Sequence, residues 1–139
     1  MTRYERGSAS VEAVIIVPAI GLFVALLIFA GRVTLAHQTV NAAAAEAART
    51  ATIARTPTDA DTRARQTAQA MLTEQNTVCA GTEISIDTSG FARPIGTPAQ
   101  VTVTVTCHTQ LADLTLPGVG GTLTITATAS SPLDPFRGR

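Results

Sequence analysis

Apolar residues gather at one end of this chain. Nineteen consecutive residues, Ala13 to Gly31, carry no charge and are bounded by Glu12 and Arg32. At about 1.5 Å per residue, some 20 helical residues cross the roughly 30 Å hydrocarbon core of a bilayer, so this run is long enough to span. Pro18, Gly21 and Gly31 would weaken a helix in water; a membrane helix tolerates them, with a bend expected near Pro18. The helical period does not stop at Arg32. Leu22, Leu26, Phe29, Val33, Ala36, Val40, Ala43 and Ala47 recur at alternating steps of four and three, a single stripe that continues out of the membrane. Thr34, His37, Gln38, Thr39, Asn41, Glu46 and Arg49 form its polar side. One helix from about residue 11 to residue 55 is predicted, spanning the membrane over about 13–31.

Thr56-Pro57-Thr58-Asp59 interrupts it with a capping residue, a proline and acidic groups that favour a new helix N-terminus. A second helix over about 59–74 follows, with Ala60, Ala64, Ala68, Met71 and Leu72 as its apolar face. The period then changes to two, in 82–88, 101–107 and 122–128, with Gly and Pro clusters between. These are three half-buried strands of a small antiparallel sheet, covered on one face by the second helix or by the emerging part of the first. Threonine on the open face of the Val101–Cys107 strand is ordinary strand chemistry, although so flat and uncharged a strand, if at an edge, would accept a partner's strand. The fold class is α+β. The expected organisation is a leader at 1–7, a long helix at 8–55, a helix-plus-sheet domain at 56–131 and a flexible tail at 132–139.

Composition sharpens this outline. A cleaved secretory signal would have an apolar region of about 7 to 15 residues followed by a small-x-small site, whereas Ile28-Phe29-Ala30 here precedes Gly31 and Arg32. A buried helix of a soluble protein is the other alternative, but 139 residues offer little with which to cover it. Arg3 and Arg6 before the run, against Arg32 after it, place the N-terminus in the cytoplasm and the C-terminal domain outside. There, Cys79 and Cys107 meet an oxidising space, and a bridge between them would close a loop of about 29 residues, contributing about 3–4 kcal/mol. Two free buried thiols are the alternative.

The net charge is zero and the ten basic residues are dispersed, so nothing points to nucleic acid. No phosphate loop, HExxH, paired-cysteine or GxSxG motif is present, and His37 and His108 lack a second ligand at a characteristic spacing. No catalytic residue, metal, cofactor or small-molecule substrate is expected.

Glu12 remains, at the lip of the apolar run. An ionised carboxylate costs a few kcal/mol as it moves into lipid and persists where it has a partner and a task. The plain alternative is an interfacial charge favoured by the helix dipole. Gly7-Ser8-Ala9-Ser10-Val11-Glu12 resembles the processing site of type IV prepilins and pseudopilins, in which a glycine precedes the cut and a glutamate is the fifth mature residue. Arg6 to Ala13, the run ending at Pro18, and Gln38 to Arg49 are together similar to the TadE-like minor pilins of the tight-adherence (Flp) pilus system.

The resemblance implies a pilin-like fold and a prepilin peptidase that cuts between Gly7 and Ser8. It implies that Glu12 meets the new α-amine of Ser8 on a neighbouring subunit, and that the stripe from Leu22 to Ala47 packs against other helices. The implied partners are that peptidase, pilin subunits with their assembly machinery, and the lipid membrane. Ala13 stands where tight-adherence pilins commonly carry an aromatic residue, and some family members stay unprocessed. The alternative is therefore an uncut single-pass protein displaying a small binding or adhesin domain.

Overall fold

The computed structural model describes residues 6–77, 79–111 and 120–136, with side chains from residue 12 onward. Helix α1 (Arg6–Ile53) has 48 residues and continues through Pro18. It starts before the expected residue 11, so Gly7 and Ser8 already have helical backbone; most of the leader, and residues 137–139 of the tail, lie outside the described residues. Threonine hydroxyls along α1 bond back to carbonyls one turn earlier, Thr34 to Ala30 at 2.9 Å and Thr39 to Leu35 at 3.1 Å, which satisfies them without breaking the helix.

Residues 54–56 connect to α2 (Pro57–Glu74), which starts two residues earlier than the sequence pattern suggests. Thr56 is extended and its hydroxyl accepts from the Asp59 amide at 3.2 Å, while Pro57 takes the first helical position, where no N–H is needed. Asp59 with Arg63 and Asp61 with Arg65 pair one turn apart on the exposed side. Ala60, Ala64, Ala68 and Leu72 are buried, and the short connection folds α2 back along α1 as an antiparallel hairpin. Asn76, with φ of 49°, ends it in the left-handed conformation that asparagine tolerates.

The sheet is a meander in the order β1 (Gly81–Asp87), β2 (Ala99–Gln110), β3 (Thr122–Leu133), antiparallel throughout. Val101, Val103, Val105, Cys107 and Thr109 of β2 point inward, joined by Ile84 and Ile86 of β1 and Leu123, Ile125 and Ala127 of β3. Both helices contribute to the cover, but unequally. The emerging half of α1 lies across β2 and β3, whereas α2 packs mainly on α1 and meets the sheet chiefly at β1. On the open face, Thr102 bonds Ser130 at 2.9 Å, Thr104 bonds Thr128 at 3.1 Å and Thr106 bonds Thr126 at 3.3 Å, cross-strand pairs that use up hydroxyls in mutual contacts.

Three features differ from the sequence outline. β3 runs on to Leu133, which is buried, so the tail expected from residue 132 starts as strand; its Pro132 and Leu133 oppose Gln100 and Ala99. A 3-10 turn, Ser89–Ala92, tucks Phe91 beneath the start of β2. The Val101–Cys107 strand is central rather than at an edge, because successive antiparallel strands pair with their sequence neighbours. Cys79, just ahead of β1, is disulfide-bonded to Cys107, with Cα atoms 5.4 Å apart.

Candidate functional site: the N-terminal helix

From Glu12 to Leu35 no side chain of α1 is buried. Val14, Ile15, Val17, Leu22 and Phe23 are each at least 60% exposed, an apolar area far larger than a water-facing helix sustains. Among the described residues this is the one helix long and apolar enough to cross a membrane. Among the described residues, a Cβ placed on Gly21 or Gly31 would meet nothing beyond its own helix turn, and both glycines leave the helix surface low for a close neighbour.

At the start of the described side chains stands Glu12, exposed, and the ion pairs found among them are the two in α2. The structure thus leaves its carboxylate without a cation from its own described side chains. Gly7 and Ser8 lie on the same helix, one turn and more before it.

The stripe is divided by the fold. Val40, Ala43 and Ala47 are buried with Ala44, Ala48 and Ala51 between the sheet and α2, and Ala36 packs at the rim of that core. Leu22 and Leu26 are exposed, Phe29 and Val33 half-exposed. The expectation that the whole stripe meets neighbouring helices is corrected here: its second half is used internally, because alanines let α1 settle close on the sheet. Only the part from Leu22 to Val33 is open to other subunits or lipid.

Residues 7–49 match the family model described as TadE-like protein. The TadE-like segment starts at the glycine of the expected cut and ends within the buried half of α1, so it holds Glu12, the apolar span and the whole stripe from Leu22 to Ala47. It covers about a third of the chain and stops before α2 and the sheet. No curated protein and no solved structure matches the chain. Cys79 and Cys107 lie outside the TadE-like segment and act on the fold, far along the chain from Gly7, Ser8 and Glu12. His37 is exposed on α1, and the His108 ring nitrogen Nδ1 lies 3.1 Å from the Thr124 hydroxyl on the open face of the sheet. Among the described residues no group of three or more His, Cys, Asp or Glu side chains is placed to hold a metal ion.

Proposed function

We propose that this protein is a minor pilin or pseudopilin that takes part in assembling a tight-adherence pilus. The observation that carries the reading is the TadE-like match over residues 7–49, coinciding with a single helix that is bare over its membrane-length half and packed over its second half. A prepilin peptidase cuts between Gly7 and Ser8, releasing a leader on the cytoplasmic side. The amine this exposes on Ser8 of one subunit pairs with Glu12 of the next, each charge relieving the desolvation of the other in lipid. Leu22 to Val33, with Gly21 and Gly31 beside them, pack against neighbouring helices. The C-terminal domain is held outside the membrane.

N-terminal sequencing of the cell-associated protein checks the cut, with a mature chain beginning at Ser8 expected. Glu12→Ala should leave membrane insertion intact and reduce pilus assembly at least tenfold, since it strands the α-amine. Intact Met1 together with unaffected assembly in Glu12→Ala would sink the reading. Ala13, in place of an aromatic residue, favours the second reading, an uncut anchor displaying the sheet domain; intact Met1 is its expected result.

A further inference from the structure

The two outer strands finish the sheet differently. β1 has seven residues, and Arg65 of α2 donates to the outward carbonyl of Ile84 at 2.6 Å, so a helix guards that edge. β3 has twelve residues and no charged side chain between Thr122 and Leu133. The Leu111 amide donates to the Gly121 carbonyl at 3.0 Å, which sets the alternation of the ladder: Leu123, Ile125, Ala127 and Ala129 bond to β2. Thr122, Thr124, Thr126, Thr128 and Ser130 therefore turn their N–H and C=O groups away from it. The outward Ile84 carbonyl requires the same phase, since Ile84 opposes Val105 and Val105 opposes Ala127. Pro132 falls in the outward set, where its missing N–H costs no ladder bond. Among the described residues nothing bonds to this row, and its five hydroxyl side chains are exposed.

We propose that the free edge of β3 receives an extended segment of a different polypeptide as a fourth strand. Backbone donors and acceptors at strand spacing are complementary to another extended backbone and to little else. A second copy of this chain pairing antiparallel does not fit. Two β3 strands meeting antiparallel are related by a twofold axis normal to the sheet, and α1 lies flat against that sheet. The rotation would turn α1 end for end and send the two apolar segments in opposite directions, which copies anchored in one membrane cannot adopt; this exclusion rests on the anchored reading above. The guest segment is uncharged, with hydroxyl or β-branched residues on the threonine face and apolar ones over Leu123 and Ala129, which are half-exposed at the inner rim.

The test uses the full chain in lipid nanodiscs and, as probe, a ten-residue peptide of alternating threonine and valine with lysine ends. At about 1 mM peptide, hydrogen exchange at the Thr124, Thr126 and Thr128 amides should slow about tenfold. The same peptide N-methylated at every second residue should have no effect. Thr126→Pro removes the outward N–H and the hydroxyl contact with Thr106, breaks no backbone ladder bond, and should abolish the protection; Thr128→Lys, which charges the edge and likewise keeps every backbone ladder bond, should do the same if the proline variant does not fold. Unchanged exchange, or equal slowing in a folded variant, overturns the edge. A photoreactive residue at position 126 in cells that cross-links to a second copy of the chain overturns the occupant, whether or not Gly7–Ser8 is cut.

Discussion

Cys79→Ser lowers the stability of the C-terminal domain by about 3–4 kcal/mol, and reduction of the wild-type bridge does the same. The size follows from the loop the bridge closes and from the thinness of what else holds the domain. Among the described residues, ten of the nineteen buried apolar side chains are alanines, whose methyl groups each remove little surface from water. A domain of this size typically has about 5–15 kcal/mol in total, so the bridge supplies a large share. Its position matters as well. Cys107 is fully buried at the inward face of β2, and Cys79 immediately precedes β1, so the bond ties the end of the α2–β1 connection to the sheet's central strand. Cys79 is half-exposed, which makes it the better site for substitution: serine there removes the bridge without burying a hydroxyl. Denaturant unfolding of the full chain in detergent micelles, followed by the sheet signal with and without reductant, measures the loss. Equal midpoints in the two conditions would contradict this account.

Gly90→Ala should cost about 3 kcal/mol, toward the upper end of what added atoms cost in packed interiors. A Cβ at Gly90 would run into the carbonyl oxygen of Gln100, with the Gln100 carbonyl carbon and amide nitrogen 3.1 Å away. These are backbone atoms of β2 and cannot swing aside as a side chain could. Relief requires the 3-10 turn to lift, and Phe91, the largest side chain in the core, rides on that turn. Gly96 provides the contrast. It has φ of +87° and open space around it, so Gly96→Ala pays only for the left-handed backbone, about 1–2 kcal/mol. Thermal melts of the two variants should rank Gly90→Ala well below Gly96→Ala. The reverse order would mean that the turn yields easily and that Phe91 does not depend on it.

Much of the candidate site could be read before any fold was known. A charge-free run of membrane length, a glutamate at its lip and a glycine ahead of it are local features, and the TadE-like match covers the same residues. The free edge of β3 could not be read that way. The flat, uncharged Val101–Cys107 strand is as good an edge candidate by pattern, because alternation reports which side chains face inward and says nothing about which strand lies outermost.

The chain by itself determined the elements and their faces. Spacing of three and four placed Val40, Ala43 and Ala47 on the inner side of α1, and spacing of two placed Val101, Val103, Val105 and Cys107 inward on β2, because each period is a property of the backbone alone. Tertiary structure decided what covers those faces. That the second half of the stripe is spent on this chain's own sheet, that Leu133 extends β3, and that β3 is left with an unbonded edge all depend on contacts between residues far apart in sequence. No local period encodes them, since which surface meets which is settled only when the helices and the sheet pack together.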